Sequence, residues 1–100
     1  MRREEVIAKL KEAEAALRAR GVAALFLFGS HARHEAGQDS DIDVFVDPIS
    51  GERFGLLPFM EAGDTIRDTL GHDVTIGYST REGLDRYIPA DVEEEAIRVL

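Results

Sequence analysis

Two apolar patterns, thirteen residues apart, constrain this chain more than any other feature. Val22–Phe28 reads VAALFLF, a continuous apolar run that stops at Gly29. Such a run is too short for a buried helix and fits a strand covered on both sides. Asp41–Asp47 reads D-I-D-V-F-V-D and stops before Pro48. That strict alternation is the period of a strand with two unlike faces. Two strands of this kind demand an apolar layer to cover them, and the flanking segments supply it. Val6, Leu10, Ala13 and Leu17 recur at helical spacing across Arg3–Arg20, with Gly21 as the stop. Pro58–Leu70 places Phe59, Ala62, Ile66 and Leu70 on one helical face, with an earlier start near Phe54 and a kink at Pro58 as the variant reading. Asp73–Tyr78 reads as a third strand. Ser79 with Glu82 forms a capping box that predicts a short helix from Thr80, and Pro89 and Asp91 open a last helix through about Arg98. Ser30–Ala36 is expected to be a short helical turn and Gly37–Ser40 a loop. The order α-β-(α)-β-α-β-α-α predicts an α/β (α+β) class, a small mixed sheet covered by helices.

Composition sets the outer limits. One hundred residues suit one domain, residues 1–100, with 44% hydrophobic and 32% charged side chains, an ordinary globular balance. Acidic residues outnumber basic ones 20 to 12, a net charge of −8. Direct nucleic-acid binding is therefore unfavoured, since displacing counterions from phosphates needs a basic face. No cysteine is present, which removes disulfides, thiol nucleophiles and thiolate metal sites. No apolar run approaches the ~20 residues of a membrane span, and the opening MRREEVIAKLKEAE lacks the apolar core of a signal peptide. The expectation is a cytoplasmic protein with no membrane contact.

The chemistry gathers between Phe28 and Asp47. Gly29-Ser30 follows a strand, where a glycine lets backbone N–H groups approach a phosphate and a serine adds a hydroxyl donor. The pair alone is equally a common turn. Asp41 and Asp43 sit at i and i+2 on a strand, so both carboxylates leave the same face, with Cα atoms roughly 6.5–7 Å apart. Two like charges beside a buried strand are unfavourable without a cation, and Mg²⁺ suits a few carboxylates plus phosphate oxygens. A strand edge protected by aspartates is the plainer alternative. Asp73, at the start of the predicted third strand, would complete a triad by ligating metal or accepting a proton, or is a turn aspartate after Gly71.

Taken together, FGSHARHEAGQDSDIDVFVD and the later HDVTIGY resemble the nucleotidyltransferase superfamily that includes DNA polymerase beta, in particular its minimal, antitoxin-like branch. The signature of that family is Gly-Ser, a spacer, Asp-x-Asp and a third carboxylate on a later strand. The branch adds an Ala-Arg pair, here Ala32-Arg33, and Ser-Asp-Ile-Asp, here Ser40–Asp43. The resemblance implies a nucleotidyltransferase fold in which Gly29, Ser30 and Arg33 contact nucleotide phosphates, Arg33 alternatively partnering a carboxylate. It implies that Asp41, Asp43 and Asp73 are the catalytic, metal-binding carboxylates. His34 departs from the glycine common in the branch, and His31, His34 and His72 are expected to face solvent. The implied reaction takes AMP from ATP with two Mg²⁺ ions. The implied acceptor is a tyrosine of a partner HEPN-domain toxin, the chain being the antitoxin of a toxin–antitoxin module. Stoichiometric masking of the partner without transfer is the rival, and adenylylation of a small molecule or an RNA end is a third possibility.

Overall fold

Both apolar patterns form strands, and a local irregularity explains why the first has no alternation. The computed structural model describes residues 2–29, 41–49, 55–71, 73–81 and 95–100. Strand β1 (Val22–Phe28) pairs antiparallel with β2 (Ile42–Pro48), and the register slips between Val22 and Ala24. This bulge resets the alternation. Val22, Leu25 and Leu27 join one core, while Phe26 and Phe28 turn to the opposite face beside Phe45. The Ala23 carbonyl at the slip accepts a hydrogen bond from the Arg18 guanidinium at 3.1 Å.

The predicted first helix is two helices, α1 (Arg3–Glu12) and α2 (Glu14–Ala19). At Ala13 the N–H bonds back to the Leu10 carbonyl three residues earlier, tightening the turn. No proline or glycine announces the break, and the apolar stripe survives it: Val6, Leu10, Ala13 and Leu17 are all buried. Helix α3 (Leu56–Leu70) begins two residues before Pro58, which lies in the first turn, where its missing N–H would have no helical partner. Ala62, Ile66 and Leu70 of α3 meet the stripe of α1 and α2 over Ile42, Val44 and Val46.

The third strand is shifted from its expected place. β3 spans Ile76–Thr80 and pairs parallel with β2, so Asp73 lies in a turn ahead of it, and Thr80 belongs to the strand rather than to a helix. The largest correction is at the end of the sequence. Ile97–Arg98 forms β4, antiparallel to β1, where the last helix was expected to finish. Val99 N–H donates to the Leu25 carbonyl at 2.8 Å, and Leu25 N–H donates to the Leu100 carbonyl. β1 would otherwise leave one edge unpaired, and that edge overrides a short helical pattern. The sheet order is β3-β2-β1-β4, mixed in direction, with the helices and main core on one face. The predicted turn at 30–36, the loop at 37–40 and the rest of the two late helices, 82–94, lie outside the described residues. Among the described residues no helix is long and apolar enough to cross a membrane.

Candidate active site

The two faces of β2 carry different kinds of side chain. Ile42, Val44 and Val46 point into the helical layer and are buried, while Asp43, Phe45 and Asp47 point to the other face. Asp43 stands at the end of the sheet where β1 finishes, opposite Phe28 across the antiparallel pair and level with Gly77 on β3. Gly29 follows at once, with φ +73°, a left-handed conformation that L side chains rarely adopt, and it turns the chain sharply at the end of β1. The same glycine makes room for a carboxylate: a Cβ built on Gly29 would stand 2.6 Å from Asp43 Oδ2. On the far side a Cβ on Gly77 would stand 2.5 Å from Asp43 Oδ1. The Asp43 carboxylate is thus seated in a cradle between two glycines on neighbouring strands.

Asp41 is exposed and lies just ahead of β2. Ile42 N–H donates to the Thr75 carbonyl at 2.9 Å, and Ile42 is level with Ile76, which sets Thr75 beside Asp41. Asp73 lies two residues further out in the turn, exposed, with Oδ1 2.9 Å from where a Cβ on Gly71 would be. The structure therefore brings Gly29, Asp41 and Asp43 to one end of the sheet, with Asp73 folded back over Gly71. Among the described residues no set of three or more His, Cys, Asp or Glu side chains is gathered to hold a metal ion. Ser30 and Arg33, with His31, His34 and His72, lie outside the described residues.

The residues present still fit a hard divalent cation. Asp41 and Asp43 offer only carboxylate oxygens, the donors Mg²⁺ prefers, and one of them is held by its surroundings before any ion arrives. Asp41 is open to solvent, so an ion carrying water and phosphate ligands has access.

Further along the same face the structure adds residues that the sequence did not point to. Phe26 stacks on Phe45 with ring centroids 4.8 Å apart, and Phe28 leans on Phe45 at 5.7 Å. The Arg81 guanidinium lies 4.8 Å from the Phe26 ring centroid and 5.0 Å from that of Phe45, while its Nε donates to the Asp47 carboxylate at 2.8 Å. The Arg81–Asp47 pair is 34 residues apart in sequence and becomes visible only through the β2–β3 register. Gly77 did have a signal, because an isolated glycine within a strand pattern marks a close approach. On the helical face Tyr78 donates its hydroxyl to the Phe59 carbonyl at 2.8 Å and stacks on the Phe59 ring at 4.5 Å. Burial pushes the Tyr78 phenol well above its ordinary pKa.

Comparison with known proteins agrees with this geometry. The family model for the nucleotidyltransferase domain matches residues 7–99. The Methanocaldococcus jannaschii protein named "Putative protein adenylyltransferase MJ1217" is 30% identical over 79 residues, 78% of this chain and 76% of that protein. A Sulfolobus solfataricus crystal structure described as a "putative nucleotidyltransferase" superposes with a TM-score of 0.57 at 16% identity, covering 96% of this chain and 80% of the other. A crystal structure described as "the toxin-antitoxin with AMP-PNP" superposes with a TM-score of 0.59, also at 16% identity, covering 100% of this chain and 73% of its own.

Proposed function

The chain belongs to the nucleotidyltransferase domain family, and from that premise we propose that it transfers AMP from ATP to a tyrosine hydroxyl of a partner HEPN-type toxin, as the antitoxin of a toxin–antitoxin module. The observation that carries the enzymatic half is the seated Asp43 carboxylate, with Asp41 two residues earlier, just ahead of the same strand. A fold that needed only to mask a partner has no use for a half-buried carboxylate held between two glycines. The acceptor half is supported by the 30% identity to a protein named an adenylyltransferase of proteins, and by likeness to a toxin–antitoxin structure that contains AMP-PNP. Residues 1–100 are read as one minimal domain working in the cytoplasm.

In this reading Asp41 and Asp43 hold Mg²⁺, two ions in the full complex, and Asp73 supports the acceptor side. When bound, Mg²⁺ supplies charge neutralisation for the triphosphate and lowers the pKa of the acceptor hydroxyl. The acceptor oxygen forms a bond to the α-phosphorus of ATP as the bond from that phosphorus to the pyrophosphate oxygen breaks. The acceptor proton leaves to solvent or to a neighbouring carboxylate. Gly29 turns the backbone so that its amides can face phosphate, while Ser30 and Arg33 contact the phosphates directly. Positioning and charge placement supply the rate, without a covalent enzyme intermediate.

The test is incubation of the chain with Mg²⁺ and α-labelled ATP, with and without the protein encoded beside it. Label on that protein's tyrosine, lost in Asp41→Asn and Asp43→Asn, is the expected result. Neutralisation of the partner by both variants, with no label even in the wild type, would establish masking instead. Label on a small molecule or an RNA end would redirect the acceptor while keeping the transferase.

A further inference from the structure

Asp41 and Asp43 are seated differently, and the difference lies in Gly77, a residue within HDVTIGY to which the family signature gives no role. Asp41 is exposed ahead of its strand, whereas both Asp43 oxygens abut neighbouring backbone: Oδ2 lies 2.6 Å from a Cβ position on Gly29, and Oδ1 lies 2.5 Å from one on Gly77. Real Cβ atoms do not come so close, so a side chain at either glycine must displace the carboxylate or the strand that carries it. Gly29 also needs its positive φ for the turn, so substitution there confounds two effects. Gly77 has no positive φ, and the second-nearest atom to its Cβ position is Asp43 Cγ at 3.6 Å. An alanine at 77 would meet essentially one thing, the Asp43 side chain.

We infer that Gly77 is a positioning residue for metal and nucleotide binding: by lacking a Cβ it lets β3 close against Asp43 and fixes that carboxylate as a preorganised anchor ligand. This rests on the metal-site reading above. A strand residue paired level with a ligand and packed on its oxygen acts as the hydrogen-bonding neighbours of a metal ligand do, by restricting where that ligand points. Alanine is otherwise a better strand residue than glycine, so any loss caused by Gly77→Ala must come from the steric conflict.

The experiment is a double-mutant cycle on the full chain with wild type, Gly77→Ala, Asp43→Ala and the double variant. Thermal midpoints are measured without metal, and Mn²⁺ affinity is measured by electron paramagnetic resonance with and without ATP. Gly77→Ala should weaken Mn²⁺ binding about 10–100-fold, the scale for residues that orient metal ligands. It should also lower the metal-free midpoint, and that loss should vanish when Asp43→Ala removes the carboxylate. Wild-type Mn²⁺ affinity in Gly77→Ala, or an equal midpoint loss in both backgrounds, would overturn the inference. If the wild-type chain binds no Mn²⁺ while the midpoints remain coupled, the metal reading fails and the steric cradle stands alone.

Discussion

The two faces of β2 carry the same backbone and opposite duties. Ile42, Val44 and Val46 are at most 1% exposed beneath three helices. Asp43, Phe45 and Asp47 occupy the other face with Phe26, Phe28 and Arg81, where charges are tolerated because each is held by shape or by a partner. The apolar face drives folding by area removed from water. The other face also buries Phe45 completely, but it carries the Asp43 and Asp47 carboxylates beside it. The lesson is that a one-residue alternation lets a single strand present an all-apolar surface on one side and carboxylates on the other.

The sharpest break of the comparison is Leu27→Ala, on β1 beside Val44 and in the same core as the apolar face of β2. Leu27 is fully buried, so the variant should lose about 2–5 kcal/mol of stability in chemical denaturation. Its activity per folded molecule should remain close to wild type. Asp43→Asn is the complement: transfer should fall by about 100-fold or more, the scale of losing one charge-placing group, with the denaturation midpoint little changed. A Leu27→Ala enzyme that is folded but inactive would show that the faces are coupled.

Smaller effects sharpen the contrast. Arg81→Met keeps an apolar stem over Phe26 and Phe45 but loses the Asp47 pair and the cation–π contact, and should cost about 1 kcal/mol. Part of that loss should disappear in high salt, whereas the cost of Leu27→Ala should not. Least in size is the titration of Tyr78. Its folded pKa is raised from the ordinary 10.0 by burial, so the protonated phenol is favoured in the folded state. That contribution is intact below pH 10.0 and is lost as pH rises above it, because the unfolded chain ionises first. Stability should therefore decline above pH 10.0 in wild type and less steeply in Tyr78→Phe, measured by denaturation at stepped pH. Equal slopes would mean that the phenol is not desolvated in the folded state.

Much of the fold was legible because it rests on local periodicity. The stripe of Val6, Leu10, Ala13 and Leu17 and the alternation within Asp41–Asp47 each specify a face; the stripe and Ile42, Val44 and Val46 are buried where the spacing put them, while Asp41 falls just ahead of the strand. The break at Ala13 was not legible, since a tightened turn within a helix needs no special residue. Nor was β4: Ile97–Arg98 is two residues long, and the unpaired edge of β1, not propensity, makes it a strand. The position of β3 shifted for a related reason. Its register follows β2, which sets Thr75 level with Asp41 and leaves Asp73 in the turn.

What the sequence determined by itself was the family, the apolar stripe of α1 and α2 and the face of β2 that meets it, because each of these depends on residues within a few positions of one another. Only the tertiary structure decided which groups meet across strands. It set Gly77 and Gly29 on either side of Asp43, Arg81 on Asp47 and the end of the sequence on the edge of β1. Those contacts depend on register between strands distant in the chain, and no local pattern encodes a register until the strands are packed together.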